Sequence, residues 1–129
     1  MKREYIGINV QYPISELILR GVKTIETRTY PIPKDFIGKE MVLIETPGKR
    51  GKFKARIRAI VVFSKCFQYE SAKSFYRDGD RHHVTPTSEW AWKPGKPKWG
   101  WEVKIKKILK EPIPTSKKKG IVYTHGIQL

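Results

Sequence analysis

Acidic residues are scarce in this chain. Only 12 Asp and Glu stand against 27 Lys and Arg in 129 residues, for a formal net charge of +15 and a pI near 10.0. A small domain needs only a few net charges to stay dissolved. So large an excess points instead to a polyanionic partner, most often nucleic acid. A lysine-rich thermophile surface would carry matching glutamates in ion-pair networks, and here they are missing. Cysteine is scarcer still. Cys66 stands alone, which excludes an internal disulfide and a cysteine-built metal site. Its apolar setting, Val61 to Phe67, marks a buried inert thiol rather than a nucleophile. No apolar run approaches membrane-spanning length, and the first residues lack the apolar core of a signal peptide. A cytoplasmic protein with no membrane partner is therefore expected. Repeats, linkers and low-complexity segments are also lacking, and the length fits one domain spanning residues 1–129.

What is present reads mainly as short strands. Ile6, Ile8 and Val10 alternate along residues 4–11, and a short helix follows Pro13 through Ser15–Arg20 to a stop at Gly21. Further strands are expected over about 24–29, 41–45 and 53–65, the last turning apolar on both faces from Ile60. Tyr69 to Tyr76 reads as a second helix. Residues 78–100 read as a long loop, of the kind usually functional or disordered. Trp101, Val103 and Ile105 begin another strand with an irregularity at Lys106-Lys107, and residues 121–123 could close the sheet. The predicted class is mainly β with short helices, a β-barrel of about six strands, closed or nearly so.

Residues 21–28 read Gly-Val-Lys-Thr-Ile-Glu-Thr-Arg. In a strand, alternate residues share a face, so Glu26 and Arg28 point the same way. Lys23 could join them only from the turn before. A carboxylate between two cations is costly to bury unless all three pair or meet a ligand. The octet is thus either a structural ion cluster or the floor of a polar pocket. Arg28 offers a planar fork for phosphate or a base edge, Lys23 a compact cation, and Glu26 an acceptor for an amine or a water-positioning base.

The pattern Gly-x-Lys-x-x-Glu-x-Arg resembles the signature of the ASCH domain, a member of the PUA-like superfamily. Trp99-Gly100-Trp101-Glu102-Val103, leading through a strand to Glu111-Pro112-Ile113-Pro114 and Gly120, is similar to a second stretch of the same family. With the opening strand and helix, the resemblance spans most of the chain. It implies a PUA-like barrel and a cleft for RNA or a nucleotide lined by Lys23, Glu26 and Arg28. Some ASCH members are amidohydrolases that remove the acyl group from N4-acetylcytidine with a threonine nucleophile at the position of Glu26. A carboxylate cannot form that acyl-enzyme, and Thr24 and Thr27 stand at the wrong offset. Other members have been assigned ribonuclease activity, and metal-free RNA cleavage by a lysine with a tyrosine or serine stays open here, with Tyr30 and Tyr69 as candidates.

All four tryptophans, Trp90, Trp92, Trp99 and Trp101, fall between residues 90 and 101, interleaved with Lys93, Lys96 and Lys98. Single-strand binders combine stacking platforms with a cationic track, each stacked base contributing ~1–3 kcal/mol. Trp101, on an apolar strand face, reads as core. Trp90, Trp92 and Trp99 are candidates for stacking, with Lys98 beside them. Lys49, Arg50 and Lys52 form a basic turn which, with Lys104, Lys106, Lys107 and Lys117–Lys119, could follow a phosphate backbone. His82 and His83 lack a third ligand at metal spacing and read as an exposed loop pair, or as one histidine on phosphate. No metal or cofactor is expected. The sequence therefore points to an ASCH-type binder of single-stranded RNA or a nucleotide-like ligand. The alternatives are a hydrolase of RNA or a modified nucleoside, and a protein-interaction module of the coactivator type.

Overall fold

A computed structural model of the chain describes residues 3–115 and 122–129. Strand β1 (Glu4–Gln11) leads into helix α1 (Ile14–Leu19), with Pro13 at its N-cap. Six residues are too few for a helix to persist alone, and α1 is held by burying Ser15, Ile18 and Leu19. It ends as the sequence predicts. Gly21 takes φ +73°, its N–H donates to Ile18 O at 3.0 Å, and Val22 N–H donates to Leu17 O at 3.0 Å. This pair of bonds is a Schellman cap, and the positive φ explains the glycine.

Strand β2 (Ile25–Arg28) follows, then β3 (Glu40–Thr46), β4 (Arg56–Tyr69), α2 (Ala72–Arg77), α3 (Gly79–His82), β5 (Lys98–Pro114) and β6 (Tyr123–Gln128). They form one mixed sheet in the order β2-β5-β4-β3-β1-β6, in which only β1 and β3 run parallel. The expected irregularity in β5 is present: Ile60 faces Lys107 while Val61 faces Ile105, leaving Lys106 as the extra residue. Other boundaries move. β4 begins at Arg56 rather than 53, and the predicted loop over 78–100 contains α3 and the start of β5. The closing strand runs 123–128, and the basic turn with Lys117–Lys119 lies outside the described residues.

The mainly β class with six strands and short helices is as expected, but the sheet does not close into a barrel. Among the described residues no ladder joins β2 to β6. β2 has four residues, and Pro31 and Pro33 beyond it cannot donate to a ladder. A side chain spans the gap instead: Arg28 Nη2 donates to Asn9 O of β1 at 2.9 Å.

Both faces of the sheet are covered, as the doubly apolar part of β4 implies. One core gathers Ile8, Ile18, Leu43, Val61, Phe63 and Trp101 beneath α1, and the opposite face packs Tyr5, Val42, Ile44 and Ile57. A third cluster, Tyr69, Phe75 and Val84, fixes α2 and α3 to the end of β4. Glu45, fully buried, accepts from Ser15 Oγ at 2.5 Å and from Arg56 and Arg58 at 2.8 Å each. Two cations of the basic 49–58 run are therefore turned inward.

Candidate functional site

The Schellman cap of α1 sets the position of Lys23, whose own N–H also donates to Leu17 O at 3.0 Å. Its ammonium turns inward, donates to His82 O at 2.5 Å and stands 3.7 Å from Glu26 Oε1. Glu26 Oε1 accepts from Thr27 N–H at 3.1 Å, and Oε2 accepts from Arg28 Nε at 3.3 Å and Nη2 at 3.0 Å. Arg28 Nη1 donates to Tyr30 OH at 3.0 Å, and its guanidinium lies 5.5 Å from the Trp101 ring centroid. The three charges meet as the strand pairing and the preceding turn require, with Lys23 and Glu26 4% and 5% exposed.

Electrostatics follow from this burial. Desolvation pulls the Lys23 ammonium below its ordinary value, only partly opposed by Glu26. Burial also acts to lower Arg28, but Glu26 and then Tyr30 outweigh it and leave the guanidinium above its usual value. Both carboxylate oxygens of Glu26 are thus held by protein donors, so the motif is largely self-satisfied. It forms a cationic floor with its own internal counter-charge.

The unsatisfied charge lies elsewhere. Lys98 opens β5 with 6% exposure and, among the described residues, its ammonium makes no hydrogen bond and has no carboxylate within 4.0 Å. Burial pushes its ammonium down, Lys93 and Lys23 push it further, and Glu26 opposes from a distance. A buried, unpaired lysine is costly without an anion to meet it.

His82 supports the floor from behind. Val84 N–H donates to Nδ1 at 2.9 Å, so Nε2 carries the proton and donates to Phe75 O at 2.6 Å. The ring is fully buried and stacks on Phe75 with centroids 4.2 Å apart. Desolvation chiefly holds the imidazole below its usual value. This corrects the expectation of an exposed histidine pair. Its backbone carbonyl is the acceptor that orients Lys23. His83, with φ 58°, turns the chain toward the cleft.

Lys23, Glu26, Arg28, His83, Trp90 and Lys98 line one cavity of about 430 Å³, with Asn9, Tyr30 and Ser88. The sequence candidates thus divide. Trp90 is 41% exposed at this cavity. Trp92 packs on Phe75 at 5.8 Å and its N–H donates to Tyr76 OH at 3.0 Å, while Trp99 packs against the main core. Trp101 is fully buried, as expected for core. Arg50 and Lys52 line a different, open groove, with Lys49 exposed beside them. Tyr69 OH donates to Asp78 at 2.6 Å in the third cluster, away from the cavity, whereas Tyr30 lines it. Asn9 and Ser88 carried no sequence signal, because their cavity position depends on long-range folding. No three metal-ligating side chains come together among the described residues.

No protein-family model and no curated protein matches the chain. Solved structures do. The ASCH protein from Zymomonas mobilis superposes with a TM-score of 0.68 at 13% identity, covering 94% of this chain and 86% of that one. A serine-to-alanine variant of that protein gives 0.65 at 14% identity, with 95% and 88% covered. A tyrosine-to-phenylalanine variant gives 0.65 at 14%, with 95% and 90% covered. The chain has an ASCH-like fold.

Proposed function

We propose that the cavity binds a nucleotide unit of single-stranded RNA, or a free nucleotide-like ligand. The carrying observation is Lys98, a largely buried lysine with no carboxylate within 4.0 Å among the described residues, which lines the same cavity as the cationic floor and Trp90. Lys23, Arg28 and Lys98 against Glu26 leave a local surplus of positive charge. An entering phosphate would relieve the desolvation cost of Lys98, and the exposed indole of Trp90 offers a face on which a base stacks. Glu26 acts by holding Lys23 and Arg28 rather than by accepting the base. The basic composition is consistent with this reading and would make binding salt-dependent.

Fluorescence anisotropy of a labelled single-stranded RNA, at two salt concentrations, tests it with wild type beside Lys98→Met and Trp90→Ala. Salt-sensitive binding that each substitution weakens at least tenfold is expected. Binding that neither substitution changes would refute the assignment of the cavity.

A second reading, RNA cleavage at the same cavity, is favoured by Tyr30. Its hydroxyl accepts from Arg28 and keeps its own proton to donate. Tyr30→Phe would then abolish cleavage, followed by gel electrophoresis of the RNA, while leaving binding in place. Deacylation of a modified cytidine gains no support, because Glu26 is engaged at both oxygens where that chemistry needs a nucleophile.

A further inference from the structure

A second depression of about 850 Å³ lies between α1 and the turn over residues 47–53. Tyr12, Arg20, Arg50, Lys52 and Phe53 line it, and it shares Ile14 and Leu17 with the first cavity. These two residues stand three apart on one helix, so a single ridge of α1 separates the hollows.

Ion-pair accounting gives the groove its character. Glu16, the only acid on its wall among the described residues, is taken by Arg58 at 2.7 Å, and Arg56 is taken by Glu45 at 2.8 Å. Arg20, Arg50 and Lys52 are exposed and have no carboxylate within 4.0 Å among the described residues. Three free cations thus face one open channel with no free acid. The guanidinium of Arg56 covers the Phe53 ring at 4.0 Å and Tyr12 meets its edge, so the groove offers charge more than stacking faces.

We infer that this groove carries the sugar–phosphate backbone flanking the nucleotide held in the cavity, so that one RNA strand crosses the Ile14–Leu17 ridge. The inference rests on the cavity reading above and adds a path to it. Backbone phosphates suit the groove because its recognition is by charge, whereas the less open cavity with Trp90 suits a base. The groove sets affinity and salt dependence, and the cavity sets which nucleotide is chosen.

The division is testable by ligand length. A triple variant, Arg20→Gln with Arg50→Gln and Lys52→Gln, changes exposed side chains only, and its melting temperature should match wild type. Binding of a nucleoside monophosphate, measured by calorimetry, should be unchanged. Binding of a ten-nucleotide RNA should fall at least tenfold near 0.1 M salt. The slope of log K against log salt should shrink by about two, since each single-strand phosphate contact contributes roughly 0.7. A single Lys52→Glu variant should move the RNA isotherm in the same direction. The inference fails if the RNA isotherm and its slope survive the triple substitution, or if monophosphate and RNA weaken alike. It fails too if the substitutions spare RNA but abolish binding of an acidic peptide, which would make the groove a protein-docking site. If wild type binds neither monophosphate nor RNA, the cavity reading itself falls, an outcome separate from these three.

Discussion

Replacing Glu26 by Gln removes one charge and almost no volume from the cationic floor. In the native protein its carboxylate stands 3.7 Å from Lys23 Nζ and 3.0 Å from Arg28 Nη2, with all three side chains largely out of water. Gln keeps one acceptor oxygen for Arg28 but presents amide hydrogens where the second oxygen accepted. Two buried cations would then lack a counter-charge, and removing one partner of a buried ion pair typically costs ~3–5 kcal/mol. For a domain of this size each kcal/mol shifts Tm by about 3–5 °C, so a fall of roughly 10–20 °C is expected. Urea unfolding should show the lost stability as a lower midpoint with an unchanged slope. The double variant Glu26→Gln with Lys23→Met should recover part of the loss, because one uncompensated cation is gone. A loss below about 1 kcal/mol, the range of exposed pairs, would refute the reasoning. The cluster would then be screened by water, and its cations would be free for a ligand rather than committed to Glu26.

Lys98→Met should act in the opposite sense on the fold, raising the melting temperature by a few degrees while weakening nucleotide binding, as calorimetry would show; a fall in stability would mean that Lys98 is satisfied in the free protein. His82 predicts an acid limb. Its folded value lies below the ordinary 6.5, so stability is full above pH 6.5 and falls as the pH drops toward the folded value, where the unfolded chain takes up a proton the folded chain refuses. Urea midpoints of wild type should decline just below pH 6.5, and those of His82→Gln should not. Gly100→Ala should cost ~1–3 kcal/mol by overpacking, since its methyl would meet Phe67 at 2.9 Å and Tyr69 at 3.0 Å.

The octet at residues 21–28 was legible because its information is local. A glycine cap fixes where the helix stops, and a two-residue strand period decides which side chains meet. The bulge at Lys106 was readable for the same reason, as a break in alternation. Lys98 was legible as a candidate but not as a buried one, since a lysine between Pro97 and Trp99 resembles loop until β2 and β4 cover its strand. His82 was misread because its burial depends on Phe75 and Val84 closing over it. The open sheet was equally hidden. Closure depends on whether two edge strands reach one another, and bulges between Leu43 and Ile44 and along β4–β5 set that geometry without a composition signal. Trp92 and Trp99 show the remaining ambiguity: an aromatic near prolines and lysines reads alike whether it packs inward or faces a ligand.

Strand β5 has a consequence for how copies of this chain behave in solution. β2 covers only Trp99 to Glu102 of its outer side, and among the described residues no strand pairs there from Lys104 to Pro114. A bare strand edge invites a second chain to add itself, and Ile108 and Ile113, 51% and 41% exposed, would favour that association. Lys104, Lys106, Lys107 and Lys110 repel an identical edge, while Pro112 and Pro114 deny it donors. Part of the basic excess therefore keeps the protein from aggregating, independently of any ligand. Changing those four lysines to threonine should leave nucleotide affinity in place yet bring on light scattering at concentrations where wild type stays clear.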